Sequence, residues 1–353
     1  MEKKFTVFVF ARLKPSQINY KIIPLSNSPL VERVYVLRKT PLEVNNEKVE
    51  CIALPKILRI RLFYWLFTAL YGAWLIRKKG ANVIVSYNIF PHGFNGYVAS
   101  LITGKPFIFA EINEETLNYF SNSLFNFFIK KILNRATYIT VPGANTAKRW
   151  RINGYNNLVP LHSTINTEVF LPFAQEKWFD FLFIGEFDDN KRPNLILEAF
   201  TEIRKMGIDA SLCFIGFGQL EKNLKELIKK NNLTQYVSVI KTNNVLEYLL
   251  NSKVLVMSSL SEGIPCAMLE SMACELIVVV PPVGDIADVV EHGVNGFLHN
   301  NTKEDIVKWM VEAYKNYDSL GLMREKARDT IIKGHSYQFA VAGWNKLLMR
   351  IKG

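Results

Sequence analysis

The chain has 353 residues, of which 49% are apolar and 21% are charged. This composition suits a globular protein of two domains and excludes a disordered chain, a fibre and a coiled coil. The four cysteines form no C-x-x-C pair, so the sequence indicates neither a zinc ribbon nor a disulfide framework. Because the first residues also lack the long apolar region of a signal peptide, we expect a cytoplasmic protein.

Short runs of β-branched and aromatic residues alternate with helical patterns along the whole chain. The first half has predicted strands at residues 5–10, 83–86, 107–110 and 138–141, and predicted helices at 62–76, 117–133 and 146–153. The second half has predicted strands at 181–185, 211–216, 237–240, 254–258 and 276–280, and predicted helices at 194–206, 220–231, 244–251 and 270–273. This alternation predicts two doubly wound α/β, Rossmann-like domains that face an interdomain cleft. Ligands of such sheets bind at the carboxyl ends of the strands.

The positive charge of the chain is confined to its first half. Residues 1–172 contain 22 Lys and Arg against 9 Glu and no Asp, whereas residues 173–353 contain 21 basic and 23 acidic residues. A one-sided field with a net charge of +13 favours an anionic partner, such as a membrane surface or an acidic acceptor, over a merely solvated lysine-rich surface. Nucleic acid is disfavoured, since no basic helix with interleaved aromatic residues accompanies the charge.

One apolar stretch in the first half, residues 62–76, is uncharged and is flanked by basic residues on both sides. It is shorter than the roughly 20 residues that span a bilayer. It is therefore either a helix buried against a sheet or an element of a membrane interface whose flanking cations lie on lipid headgroups. A second apolar segment, residues 117–133, is interpreted as a core-facing helix.

The segment from Ser261 to Cys274 concentrates candidate binding groups. Glu262 follows a predicted strand, and Glu270 lies eight residues later in a helix expected to begin near Pro265, so both carboxylates can face one site. Carboxylates suit sugar hydroxyls because they only accept hydrogen bonds. Alternatively, Glu262 merely compensates the helix dipole. Free N–H groups near the start of this helix favour a phosphate, and they belong to Gly263, Ile264 and Cys266.

The remaining motifs bear on metal binding, nucleotide binding and nucleophilic catalysis. The five histidines share no metal-binding spacing and the chain has no Asp-x-Asp pair, so no metal site is predicted. The turn Gly216-Phe-Gly218 follows a predicted strand and precedes a helix, which is a weak indication of a nucleotide. No Walker A sequence or GxSxG elbow is present.

The spacing of Glu262 and Glu270, closed by Glu-Ser-Met-Ala-Cys, resembles the signature of glycosyltransferase family 4, a retaining group with the GT-B fold. Further segments resemble the family in the same order: Asn166-Thr-Glu-Val-Phe170, Phe183-Ile-Gly185, Lys191-Arg192-Pro193, Phe214-Ile-Gly216-Phe-Gly218 and Glu291-His-Gly-Val-Asn-Gly296. The resemblance covers residues 80–300 and is strong from 181 to 298.

The resemblance implies a Rossmann-like acceptor domain at residues 1–172, a nucleotide-sugar domain at 173–334 and a final segment, 335–353, with a helix that crosses back to the first domain. It implies retaining transfer from a nucleoside diphosphate sugar, with a UDP- or GDP-sugar the expected co-substrate and no metal or other cofactor required. The acceptor would be a glycan or a lipid-linked intermediate of cell-envelope or polysaccharide synthesis. The enzyme would then be cytoplasmic or peripheral on the inner face of the membrane.

The same resemblance assigns roles to individual residues. Glu270 would hold the ribose hydroxyls, Glu262 the donor sugar, and Lys191 the diphosphate, with Arg192 as a second cation. The nucleotide base would lie against the turn formed by Tyr236 and Val237. Close backbone approach to the nucleotide would involve Gly185, Gly216 and Gly218, beside the helix start formed by Gly263, Ile264, Pro265 and Cys266.

Three departures from the family pattern qualify these roles. Glu186 stands where the family has Arg, so either Glu186 points away and Arg192 supplies the second cation, or the donor is not an ordinary nucleoside diphosphate sugar. Ile112 stands where the family has His, and the adjacent Glu111 either positions a substrate or caps the following loop. Arg12 lies in a segment that replaces the usual glycine-rich loop.

These departures leave an alternative function open, namely a catalytically silent scaffold with the GT-B fold. A GT-B epimerase or phosphorylase is the third candidate.

Overall fold

The structure is a computed structural model that describes residues 4–352, except 14, 59–63, 113–115, 117–122 and 174–175. The start of the predicted helix 62–76 and residues 117–122 of the second predicted helix lie outside the described residues. The chain forms two compact units, which we call unit 1 (Met1–Thr164 and Tyr337–Gly353) and unit 2 (Ile165–Ser336).

Within its described residues, unit 1 holds a seven-stranded parallel sheet in the order β3-β2-β1-β4-β5-β6-β7. The strands are β1 (Phe5–Phe10), β2 (Val31–Arg38), β3 (Val49–Ala53), β4 (Val83–Tyr87), β5 (Phe107–Ala110), β6 (Tyr138–Val141) and β7 (Leu158–Pro160). The strand order reverses between β1 and β4, which places the topological switch point of this sheet there.

Helices cover both faces of the first sheet, which is why its strands are apolar on both sides. The described helices that precede unit 2 are α1 (Pro15–Lys21), α2 (Ile23–Ser26), α3 (Tyr64–Lys78), α4 (Phe94–Thr103), α5 (Ser123–Arg135) and α6 (Ala144–Ile152). Side chains alternate along β1: Phe8 and Phe10 pack with α3, α4 and α5, whereas Val7 and Val9 pack with α1 and α2 on the opposite face.

Unit 2 repeats the architecture with a parallel sheet, six-stranded in its described part, in the order β10-β9-β8-β11-β12-β13. Its strands are β8 (Phe179–Ile184), β9 (Leu212–Ile215), β10 (Val237–Ile240), β11 (Ser252–Val256), β12 (Ile277–Val280) and β13 (Phe297–Leu298). The order reverses between β8 and β11, so the switch point of the second sheet lies between these two strands.

The described part of unit 2 contains six α-helices, some of which pack on this sheet around Phe181, Phe200 and Phe214. They are α7 (Pro193–Lys205), α8 (Glu221–Lys230), α9 (Val245–Leu250), α10 (Cys266–Ala273), α11 (Lys303–Lys315) and α12 (Gly321–Gly334). The last helix, α13 (Tyr337–Lys352), belongs to unit 1, where Trp344, Leu347 and Leu348 join the same core as Val7 and Val9. None of the helices in the described part of the chain is both long and apolar enough to cross a bilayer.

The predicted fold class, two doubly wound sheets with parallel strands, is confirmed. Strands β2 and β3 were not predicted, and neither was α4. The sequence of β2, VERVYVLR, carries Glu32 and Arg33 near its start and Arg38 at its end. These charges leave a run of only four residues, Val34 to Leu37, without a charge, and the segment pairs with both β1 and β3.

Candidate functional site

The switch point of unit 2 brings together two loops that are distant in sequence. One loop leaves β8 and runs through residues 185–192, and the other leaves the neighbouring β11 and runs through 257–262. Both leave the sheet at its carboxyl edge, where doubly wound folds bind ligands.

Hydrogen bonds hold these two loops to each other. The side chain of Asn190 accepts from Ser261 N at 3.0 Å and donates to Ser261 O at 3.1 Å. The hydroxyl of Ser258 donates to the carbonyl oxygens of Lys191 (2.9 Å) and Arg192 (3.0 Å). These contacts, of which the Asn190 pair is exposed and the Ser258 pair is half-buried, fix the position of the Lys191 backbone relative to the end of β11. Asn190 and Ser258 were not singled out in the sequence, because short polar residues in loops carry no distinctive pattern.

Lys191 and Glu262 form an ion pair at this edge, in which Lys191 Nζ donates to Glu262 Oε1. The side chains are 23% and 11% exposed, respectively, so the pair is sheltered but reachable from solvent. The structure therefore places the predicted cation and the predicted sugar-binding carboxylate in direct contact.

Arg192 lies beside this pair in a left-handed backbone conformation, with φ of 49°. Its Nε donates to the carbonyl oxygen of Ser258 at 2.8 Å, and burial lowers the pKa of its guanidinium. Its Nη2 is buried and has no hydrogen-bond partner among the described residues. A guanidinium with a free donor suits an anion that offers several oxygen acceptors.

Glycines allow two pairs of backbone segments to approach each other closely here. A Cβ on Gly216 would lie 1.9 Å from the carbonyl oxygen of Gly185, and one on Gly218 would lie 2.5 Å from that of Phe187. A Cβ on Gly284, whose φ is +60°, would lie 1.9 Å from the carbonyl oxygen of Glu262. Any other residue would push these segments apart, so each glycine is required by its surroundings.

Helix α10 begins beside Glu262. Pro265 occupies its N-cap position and supplies no side-chain cap, and Cys266 is its first residue. Gly263 O accepts from Asp285 N at 3.3 Å, while Ile264 is buried. Glu270 is 95% buried on the helix, being only 5% exposed. The helix start and Glu270 are thus on the segment that carries Glu262.

Tyr236 and Val237 are not brought to this edge. Val237 pairs with Leu212 at the start of β9, so it lies at the amino edge of the sheet, opposite the edge that Gly216 marks. The guanidinium carbon of Arg204 lies 3.5 Å from the centre of the Tyr236 ring and covers it. The expectation that a base rests on this turn is therefore corrected, because the turn precedes β10 rather than following it.

Phe217 and Lys241 occupy the carboxyl edge instead. Phe217 lies between Gly216 and Gly218 after β9 and is 52% exposed, and Lys241 follows β10. Lys241 Nζ lies 5.0 Å from the centre of the Phe217 ring. The sequence signal for the Phe217 ring is the Gly-Phe-Gly turn itself, which presents an aromatic side chain directly after a predicted strand.

His299 is hydrogen-bonded to the first residue of the loop after β11. Its Nε2 donates to the carbonyl oxygen of Met257 at 2.8 Å, and its Nδ1 accepts from Asn301 N at 3.0 Å, so the ring is held neutral. Burial, more than any other effect, lowers the pKa of His299 to about 4, although the hydrogen bond to Met257 raises it and nearby Arg192 lowers it further.

The remaining predicted residues lie in unit 1 or on the surface. Arg12 follows β1 and is exposed, and Glu111 follows β5 and is buried. Glu111 accepts hydrogen bonds from Thr116 N (3.3 Å) and from Thr116 Oγ1, which agrees with the loop-capping alternative. Burial, assisted by Arg12, lowers the pKa of His92 to about 4. Glu186 is exposed in unit 2.

Comparison with known proteins agrees with this geometry. Residues 167–330 match the family described as glycosyl transferases group 1. An uncharacterized glycosyltransferase of Methanocaldococcus jannaschii is 24% identical over 298 residues, which cover 83% of this chain and 82% of the relative.

Two solved structures share the fold over nearly the whole chain. HepE of Anabaena in complex with UDP superposes with a TM-score of 0.78 at 15% identity, covering 98% of each chain. Sucrose-phosphate synthase from Thermosynechococcus elongatus superposes with a TM-score of 0.81 at 12% identity, covering 99% of each chain. These superpositions show the fold, two Rossmann-like domains of the GT-B type, and the family match lies within unit 2.

Proposed function

We propose that the chain is a retaining, metal-independent glycosyltransferase that moves a sugar, with a hexose as the expected unit, from a nucleoside diphosphate sugar to an acceptor. The observation that carries this proposal is the Lys191–Glu262 pair at the switch point of unit 2, beside a guanidinium with a free donor. A cation for a diphosphate and a carboxylate for sugar hydroxyls are the two groups such a donor requires. The UDP complex of HepE favours a UDP-sugar over a GDP-sugar.

The donor would occupy the carboxyl edge of the second sheet. Lys191 Nζ and Arg192 Nη2 would bind diphosphate oxygens, and the start of α10 would lie beside them with the positive end of its helix dipole. Glu270 would accept from the ribose hydroxyls, and Glu262 from the sugar. The exposure of Glu186 and the anchoring of Arg192 favour the alternative in which Arg192 supplies the second cation.

The reaction would proceed on one face of the sugar. The bond from the anomeric carbon to the β-phosphate oxygen breaks, the bond to the acceptor oxygen forms on the same side, and the acceptor proton passes to the departing diphosphate. Lys191 and Arg192 would stabilise the negative charge that grows on that diphosphate, in a site organised before the donor arrives. Positioning of the acceptor oxygen close to the anomeric carbon provides the rest of the rate enhancement.

Unit 1 would supply the acceptor side. Its switch point carries Arg12 after β1, and its basic residues suit an anionic acceptor, such as a lipid-linked intermediate or an acidic glycan, at the cytoplasmic surface of a membrane. Here Glu111 would hold the loop at Thr116 in place rather than contact the donor.

A calorimetric titration with UDP and a panel of nucleotide sugars tests the proposal. We expect UDP to bind and Lys191→Met to weaken it by about 10- to 100-fold, the effect of losing a hydrogen bond from a charged group. The control is Lys222→Met, since Lys222 is an exposed lysine on α8. Absence of binding by UDP, GDP and their sugars would refute the donor site. Binding without transfer to lipid extracts or glycans would favour the silent scaffold.

A further inference from the structure

The outward side of three helices in unit 1 is apolar. Helices α3, α4 and α5 pack against one face of the sheet through a shared core, so their opposite sides face away from it together. The large apolar residues on those sides are between 44 and 58% exposed: Trp65, Leu66, Leu70, Trp74, Leu101, Phe127 and Phe128. We call these seven residues the apolar face.

The stripe on α3 follows helical geometry. Leu66, Leu70 and Trp74 are spaced by four residues, which places them on one side of the helix. The other side lies so close to the sheet that a Cβ on Gly72 would be 2.4 Å from the ring of Phe10. This close packing fixes the rotation of the helix, so the apolar stripe is presented to solvent by the fold and cannot turn inward.

The three helices hold together at one end. Arg77 Nη2, at the end of α3, donates to the carbonyl oxygen of Ile102 at 2.6 Å, and Arg135 Nη2, at the end of α5, donates to that of Ser100 at 3.3 Å. Both arginines thus satisfy carbonyls in the last turn of α4, beside Leu101. Two cations, Arg77 and Arg135, therefore lie at the end of α4 that carries Leu101.

Lysines lie directly against the aromatic members. Lys78 Nζ is 4.6 Å from the centre of the Trp74 ring, and Lys131 Nζ is 4.5 Å from that of Phe127. Tryptophan and phenylalanine with adjoining lysines are typical of surfaces that enter the boundary between lipid headgroups and acyl chains. A protein interface would instead favour depletion of lysine.

We propose that the apolar face docks on a lipid bilayer that contains anionic headgroups. Its aromatic and leucine side chains enter the acyl boundary, and Lys78 and Lys131 bind headgroup phosphates, in keeping with the net charge of +13 on residues 1–172. The inference rests on the proposed function for the role of the docked state, which is to bring the enzyme to a lipid-linked acceptor. It differs from purely electrostatic attraction, because the apolar side chains keep part of the binding when salt screens the charges.

Sedimentation of the full chain with vesicles tests the proposal. We expect strong binding to vesicles of phosphatidylcholine mixed with phosphatidylglycerol, weaker binding to phosphatidylcholine alone, and only partial release by high salt. The double variant Trp65→Ser/Trp74→Ser should bind at least tenfold more weakly at both low and high salt. The double variant Lys78→Gln/Lys131→Gln should lose most of the preference for anionic lipid.

Trp178→Ser is the matched control, since Trp178 is 55% exposed in unit 2, outside the apolar face. Circular dichroism and UDP binding, measured on every variant, show whether the fold and the donor site are intact. Vesicle binding that is absent in the unmodified chain, or unchanged in Trp65→Ser/Trp74→Ser, would overturn the inference. Vesicle binding without UDP binding would support membrane docking by the apolar face and would refute the proposed function.

Discussion

Lys191 and Glu262, 71 residues apart in the chain, form an ion pair that joins the two loops of the unit 2 switch point. In the proposed function, Lys191 would exchange this bond for a contact with the diphosphate, and Glu262 would exchange it for a hydroxyl of the donor sugar. The pair keeps both groups extended toward the site before the donor arrives, which lowers the cost of ordering them.

Replacing the Glu262 carboxylate should affect nucleotide binding and sugar transfer in opposite directions. In Glu262→Gln the amide keeps the size of the side chain but leaves Lys191 without its counter-charge, so UDP should bind severalfold more tightly. Transfer should fall by at least 100-fold, because the sugar loses a charged hydrogen-bond acceptor. Calorimetry with UDP and turnover with the preferred UDP-sugar measure the two effects. Glu226→Gln, at an exposed position on α8, is the control, and a parallel loss of UDP affinity in Glu262→Gln would show that the carboxylate holds the nucleotide.

Phe217 is predicted to support the nucleobase, and Tyr236 is not. Stacking of a base on an aromatic ring contributes about 1–3 kcal/mol, so Phe217→Ala should weaken UDP binding about tenfold or more with little change in stability. Tyr236→Leu should instead lower stability, because Arg204 loses the ring it covers, and should leave the UDP affinity unchanged. Titration with UDP and thermal unfolding of both variants decide which residue supports the base. The reverse pattern would show that the base lies against the Tyr236 turn.

Gly284 is predicted to be intolerant of a side chain. A methyl group would meet the carbonyl oxygen of Glu262, so Gly284→Ala should displace that residue and destabilise unit 2 by at least about 2 kcal/mol. Gly207→Ala is a matched control: Gly207 also has a positive φ, +77°, but faces open space, so it should cost only the backbone strain of about 1–2 kcal/mol. Urea unfolding with and without UDP measures both, and equal effects of the two substitutions would contradict the close contact.

The stability of unit 2 should depend on the protonation of His299. The pKa of His299 is about 4 in the folded chain and near 6.5 when unfolded, so between these values only the unfolded chain gains a proton. Stability is therefore complete above about pH 6.5 and falls as the pH drops toward 4, by up to about 3 kcal/mol. Urea unfolding at several pH values compares the unmodified chain with His299→Gln, which should show a shallower fall. His92 in unit 1 contributes in the same direction, and an unchanged slope in His299→Gln would refute the assignment.

Much of the candidate site could be found in the sequence because its residues are local signatures. Glu262 and Glu270 share one loop and helix, so their spacing indicated a site, whereas Lys191, in the loop after β8, was indicated only by the resemblance to glycosyltransferase family 4. The partners that hold them could not be found in this way. Asn190 and Ser258 matter only because β8 and β11 are neighbours, and that neighbourhood depends on the order of strands in the sheet.

The alternation of strand-like and helix-like segments, set by local apolar patterns, was enough to determine the doubly wound architecture of both units. Only the tertiary structure decided which edge of the sheet each loop occupies. Tyr236 lies before β10 and Lys241 after it, a separation of a few residues that places them at opposite edges. The contact of Lys191 with Glu262 and the outward rotation of α3 likewise arise from strand pairing and helix packing, which join residues distant in sequence and leave no mark in any short segment.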